Sequence, residues 1–225
     1  MTAALPPVIA VDGPAASGKG TIAQAVARAL GFHYLDSGSL YRLVALKALR
    51  AGIPLDDHAR LAEAAARSKM AVAGERIELD GEDVTAALRS PAVSAAASEI
   101  AVYPEVRRAL LSRQRDFRRP PGLVADGRDM GSVVFPDAAL KVYITATPEE
   151  RARRRYKQLI EKGNPVTIDG LLRDIRERDA RDSARPAAPL KTAADAIVLD
   201  TTGQSVEDSV AFVLERFRAL RMQDR

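Results

Sequence analysis

Cysteine and tryptophan are absent from the 225 residues, and only two histidines occur, His33 and His58. Without thiols there are no disulfides and no thiolate metal sites, which fits a reducing compartment. Two widely separated histidines are too few for a typical zinc site. Aromatics are scarce, with five Tyr and five Phe. No apolar run approaches the ~18 residues that a membrane span needs. The N-terminal stretch has no basic region, and Asp12 interrupts its apolar run, so it does not read as a secretory leader. A soluble, cytoplasmic protein is expected. Hydrophobic residues make up 47% and charged residues 28%, an ordinary globular balance that excludes wholesale disorder. The length is that of one domain, or of one domain with an insertion.

Charge is distributed unevenly. The formal net charge is +4, yet residues 151–185 alone carry +5, so the remainder is close to −1. Arginine outnumbers lysine, 27 to 7. An Ala- and Arg-rich composition can follow from codon usage, but clustering within one segment points to a bound polyanion such as phosphate or nucleic acid.

Along the chain, Val8–Val11 reads as a buried strand that ends at Asp12-Gly13-Pro14. Residues 19–30 follow with helical spacing of Ile22, Val26 and Leu30 and a stop at Gly31. Phe32–Leu35 is a second strand, ending at Asp36-Ser37-Gly38, and a helix runs from about Leu40 to Ala51. The pattern then changes. A helix over 56–69, a hairpin over 70–79 turning at Gly74, and two helices over 91–118 separated near Pro104 lack the earlier strand–helix alternation and look like an insertion. Alternation resumes with strands at Leu123–Ala125, Lys141–Ile144 and Ala196–Leu199, and with helices from Thr147, over 168–184 and over 205–220. Thr147-Pro148-Glu149-Glu150 predicts a capping box. Ile168, Leu171, Leu172 and Ile175 are expected to face inward. Short apolar strands alternating with helices imply a parallel sheet covered on both faces.

The strongest local signal is Gly13-Pro14-Ala15-Ala16-Ser17-Gly18-Lys19-Gly20-Thr21, between a strand and a helix. Backbone amides of such a loop converge on phosphate oxygens, the helix start favours the anion, and Lys19 adds a charge at the β/γ-phosphates. The usual pattern has Ser or Thr directly after the lysine. Here Gly20 intervenes, so a hydroxyl for Mg²⁺ must come from Thr21 or Ser17, or the ion is held largely through water. The loop does not say what receives the phosphate.

Three further strings stand out: LDSGSLYR, ADGRDMGSVVFPDA and ERDARDSARPAAPL. Asp126 lies at a strand mouth, where an Asp commonly orders Mg²⁺ or its waters, and Arg128 can clamp a phosphate bidentately. Arg178, Asp182 and Arg185 share one helix face by spacing, opposite Ile168, Leu171 and Ile175, either as a salt-bridge ladder on a wet surface or as part of a site. Together with GKGT, these strings resemble the cytidylate kinase branch of the nucleoside monophosphate kinases, in the right order from Val8 to Leu199. That resemblance implies transfer of the γ-phosphoryl group of ATP to CMP and dCMP with Mg²⁺. It also implies a P-loop three-layer α/β/α fold with a five-stranded parallel sheet over 1–36 and 122–225. A monophosphate-binding insertion with a small antiparallel sheet would occupy 37–121, and a short lid 150–165. By the same matching, ATP contacts residues 13–21 with Arg154 and Arg155. CMP contacts Ser37, Tyr41, Arg42, Ser98, Arg107, Arg128, Asp129, Arg178, Asp182 and Arg185. Lys19, Arg128, Arg178 and Asp126 carry the chemistry. No nucleic acid, membrane or obligate protein partner is implied. Other readings are a kinase for UMP, AMP or shikimate, a GTP-dependent switch, against which the missing Asn-Lys-x-Asp string counts, and a nucleic-acid binder through 151–185.

Overall fold

A computed structural model describes residues 5–73, 76–161, 163, 165–185 and 187–223. Within them the chain forms two compact units: residues up to Leu35 together with Phe117 onward, and Asp36–Asp116.

The first unit is built on strands β1 (Val8–Asp12), β2 (His33–Asp36), β6 (Leu123–Gly127), β7 (Leu140–Thr145) and β8 (Ile197–Asp200), ordered β2-β6-β1-β7-β8. Parallel pairing sets Val8 opposite Leu123 and Asp12 opposite Gly127 on one side of β1, and Ile9 opposite Leu140 on the other. Every residue of β1 and β6 is buried, so both faces are covered, as continuous apolar runs require. On one face Ile9, Val11, Val124, Val142 and Ile144 pack with Ile22 and Val26 of α1 (Lys19–Leu30) and with Val213 and Phe217 of α8 (Val206–Gln223). Helices α6 (Pro148–Ile160) and α7 (Ile168–Ala184) meet through Ala152, Leu171 and Ile175. The expected α/β class and five-stranded parallel sheet are therefore found, and no described helix is long and apolar enough to cross a membrane.

The second unit contains α2 (Ser37–Ala51), α3 (His58–Arg67), α4 (Pro91–Ile100) and α5 (Pro104–Arg115), with a small antiparallel sheet of β3 (Met70–Ala73), β4 (Arg76–Leu79) and β5 (Glu82–Asp83). The predicted turn at Gly74 lies outside the described residues. Lys47 and Arg50 of α2 pair with Asp80 and Glu82, tying that helix to the sheet. His58 stacks on Tyr103 at 3.8 Å between ring centroids.

Three local readings differ from the structure. Helix α2 begins at Ser37 rather than Leu40, because the Asp36 side chain accepts from the Ser39 amide and caps it. Thr147 caps α6 through the Glu150 amide, but the Glu150 carboxylate does not return to Thr147. It binds Arg153 and Arg154 instead, while the Thr147 amide donates to the Thr202 hydroxyl. Ile168 is 44% exposed, at the first turn of α7 where little covers it.

Candidate active site

The loop Gly13–Gly18 leaves β1 and enters α1 without a side-chain cap, so the first amides of the helix are left to an anion. Gly13 is dictated by space. A Cβ there would lie 2.0 Å from the carbonyl oxygen of Ile144 on β7, a backbone atom that cannot give way. Gly13→Ala should cost more than about 2 kcal/mol and lower Tm by about 5 °C or more in a thermal melt; an unchanged Tm would contradict this packing.

Gly20 has a related cause. A Cβ at this position would sit 2.9 Å from Oδ2 of Asp126 and 3.6 Å from the Tyr34 hydroxyl. The carboxylate of Asp126 thus takes the space that the usual serine or threonine would fill. Asp126 accepts from Tyr34 at 3.3 Å and lies 3.6 Å from the Lys19 ammonium. Ser17 is fully buried, and its hydroxyl has no hydrogen-bond partner among the described residues, a condition that a bound group relieves. Thr21 is exposed in the first turn of the helix.

Asp12, read from sequence only as a turn marker, is a structural hub. Its two carboxylate oxygens accept from the Met130 and Gly131 amides, each at 2.8 Å. They pin the Gly127–Met130 segment to the base of the phosphate loop. Burial pushes Asp12 up to about 6, against the two amide hydrogen bonds and helped by nearby Asp129 and Asp126. Beyond Gly127 the chain enters a wide helical turn over Met130–Val134, preceded by the buried Asp129.

Across the same unit, Asp182 is buried between two arginines. Arg128 Nε donates to its Oδ2 at 2.8 Å, and Arg185 Nη2 lies 2.7 Å from Oδ1. Burial alone would raise the carboxyl pKa, but Arg128, Arg185 and Arg178 outweigh it and hold Asp182 below its usual range. Of the two readings of this helix face, the wet ladder is therefore excluded for Asp182 and Arg185. The expected opposition to Leu171 and Ile175 is also corrected. Positions 171, 175, 178 and 182 follow the i, i+4, i+7, i+11 spacing of a single face, and three of them are buried.

The second unit holds Ser37, Tyr41, Arg42, Ser98 and Arg107 of the predicted residues. Ser37 and Tyr41 are buried on α2, and Arg42 pairs with Asp36. The Ser98 hydroxyl is buried and has no hydrogen-bond partner among the described residues. The Arg107 guanidinium lies 5.7 Å from the centre of the Tyr41 ring and donates to the Ala101 carbonyl.

The family model for cytidylate kinase matches residues 9–219. The chain belongs to the cytidylate kinase family. It is 58% identical over 214 residues to a cytidylate kinase of Cupriavidus necator, covering 95% of this chain and 96% of that one. To the cytidylate kinase of Bordetella bronchiseptica it is 57% identical over 213 residues, covering 95% and 96%. A crystal structure of a gluconokinase from Sinorhizobium meliloti has the same fold at TM-score 0.51 and 15% identity, covering 96% of this chain and 94% of that one.

In this cytidylate kinase family member, the basic 151–185 segment spends part of its charge internally. Arg151 and Arg185 are buried, and Arg154 donates to Glu150, to the Ser17 carbonyl and to Thr201. Thr201 was invisible in the sequence, yet its hydroxyl joins the Ser17 and Thr145 carbonyls. A single threonine after a strand carries no sequence signal for that role.

Proposed function

We propose that this chain binds ATP along Gly13–Thr21 and holds the phosphate of CMP with the arginines gathered around Asp182. As a member of the cytidylate kinase family it transfers the γ-phosphoryl group of ATP to CMP, giving CDP and ADP. The observation that carries the site assignment is the buried Arg128–Asp182–Arg185 cluster in the same unit as the phosphate loop. A carboxylate that holds two guanidiniums in place keeps cationic groups preset, so little reorganisation is needed when an anionic acceptor arrives.

Phosphoryl transfer is catalysed by positioning and charge neutralisation more than by covalent chemistry. Lys19 neutralises the β/γ-phosphates, while Arg128 and Arg178 hold the acceptor phosphate. That acceptor is already an anion and needs no strong general base. When bound, Mg²⁺ would neutralise phosphate charge; Thr21, Ser17 and, through water, Asp126 are the residues that would hold it. Arg154 and Arg155 are assigned to the ATP side, and 150–165 to a short lid. Residues 37–121 are assigned to the monophosphate-binding region. There Ser37, Tyr41 and Arg42 serve the CMP phosphate side, and Ser98 and Arg107 the base. The Ser98 hydroxyl, buried and without a partner among the described residues, supports the last assignment. Asp129 reads the cytosine amine.

A coupled ADP-release assay tests this reading across CMP, dCMP, UMP and AMP. CMP and dCMP should turn over fastest, with kcat/KM for UMP and AMP lower by about tenfold or more. Equal rates across the four would refute base selection.

A further inference from the structure

Helix α6 directs one arginine fully into the first unit. The Arg151 side chain is 4% exposed, and nearly all its donor capacity is committed. Nε donates to the Ala146 carbonyl at 3.0 Å. Nη1 donates to the Ala15 carbonyl at 3.1 Å and to Oδ1 of Asp179 at 3.0 Å, and Nη2 donates to Oδ2 of Asp179 at 2.6 Å. The carboxylate of Asp179 therefore meets the guanidinium as a two-pronged fork, which fixes the plane of the group as well as its position.

The Ala15 carbonyl belongs to the phosphate loop. In a trans peptide the C=O and N–H point in opposite directions. Fixing the Ala15 oxygen on Arg151 therefore aims the Ala16 amide away from Arg151. Ala16 also adopts φ 59°, a left-handed conformation that costs a non-glycine residue about 1 kcal/mol or more. Such a conformation persists when its surroundings enforce it. Here the enforcement comes from Arg151 on the carbonyl side and from packing of Ala16 against the Ala152, Leu171 and Ile175 cluster.

We propose that Arg151, seated on Asp179, is a positioning residue for phosphoryl transfer: it locks the Ala15–Ala16 peptide of the phosphate loop so that the loop amides are preset for ATP, without itself touching the nucleotide. This rests on the reading of Gly13–Thr21 as the ATP phosphate site. A lysine at 151 cannot reproduce the role, since an ammonium has no planar fork to hold a carboxylate and a carbonyl in one geometry. Asp179 acts only through Arg151, so its effects belong to the same element.

Arg151→Lys, Asp179→Asn, the double variant and Lys19→Ala would be compared with the parent chain. Each would first be checked by circular dichroism and thermal melting, and then by kcat and KM for ATP and CMP. In Arg151→Lys, KM for ATP should rise about fivefold or more and kcat fall about tenfold, with KM for CMP within about twofold. Asp179→Asn should shift the same two constants less. The double variant should be no worse than Arg151→Lys alone. If Arg151→Lys does not fold, Asp179→Asn, which keeps the arginine, decides by the same split. A folded Asp179→Asn or Arg151→Lys with normal ATP constants, beside an inactive Lys19→Ala, overturns the positioning role and leaves the ATP site standing. A lowered Tm with unchanged kinetics assigns Arg151 to stability and also overturns it. A rise confined to KM for CMP does the same. Near-normal turnover in folded Lys19→Ala would instead remove the ATP assignment itself.

Discussion

Lys19→Ala should lower kcat by about two orders of magnitude or more while the fold survives. The lysine stands at the first residue of α1, its ammonium 3.6 Å from the Asp126 carboxylate and almost withdrawn from solvent. Its charge is thus held beside the phosphate loop in a medium that screens poorly, where a contact to a transferring phosphoryl group counts most. A hundredfold loss corresponds to about 2.7 kcal/mol of transition-state stabilisation, within the range that one such contact supplies. The fold should tolerate the change because Lys19 takes no part in the apolar cluster beneath α1. Asp126 also keeps the Tyr34 hydroxyl. The measurement is ADP release at saturating ATP and CMP, with a thermal melt as control. A folded variant with near-normal kcat would end the phosphate-loop assignment.

Asp129→Asn should narrow the preference for CMP over UMP. Cytosine presents an N4 amine, a donor, where uracil presents the O4 acceptor. An ionised carboxylate only accepts, so it pairs with N4 and repels O4. Cytosine N3 is an acceptor and suits a pure donor such as Arg107, whereas uracil N3 carries a hydrogen. Each buried mismatch costs about 1–3 kcal/mol, so two give roughly 30- to 10⁴-fold discrimination in the parent chain. The asparagine amide can turn and donate to O4, which lowers kcat/KM for CMP and raises the relative rate with UMP. The backbone should hold, because it is the Asp129 carbonyl that accepts from Val133 and Val134. KM for ATP should stay nearly constant. A preserved CMP to UMP ratio with impaired ATP binding would move Asp129 to the triphosphate side.

Much of this was legible in the sequence because it depends on short-range rules. The all-apolar Val8–Val11 strand, the Gly-Lys loop and the Pro104 break between α4 and α5 each follow from local chemistry, and the structure has them there. What was not legible depends on competition between neighbouring side chains or on partners distant in the chain. The carboxylate of Glu150 has a capping role by sequence, but two arginines on its own helix outcompete one amide. Asp182 sits on the same helix face as Leu171 and Ile175, where periodicity alone argues for an apolar residue. It is tolerated there because Arg128, 54 positions away, supplies a counter-charge. For the same reason Asp12 was read only as a turn marker, and Arg151 only as one charge of the basic 151–185 segment. Their partners, the Met130 and Gly131 amides and the Ala15 carbonyl, are backbone groups with no signature in the letters.

The close approach of Gly20 to Asp126 makes two remote positions behave as a single choice. In this chain the space beside Lys19 is occupied by the side chain at the end of the neighbouring strand, and the residue that follows the lysine carries none. A side chain added after Lys19 requires the carboxylate at 126 to shift. The departure from the usual loop thus leaves an acidic oxygen, reached from β6, beside the position where the usual pattern carries a neutral one on α1.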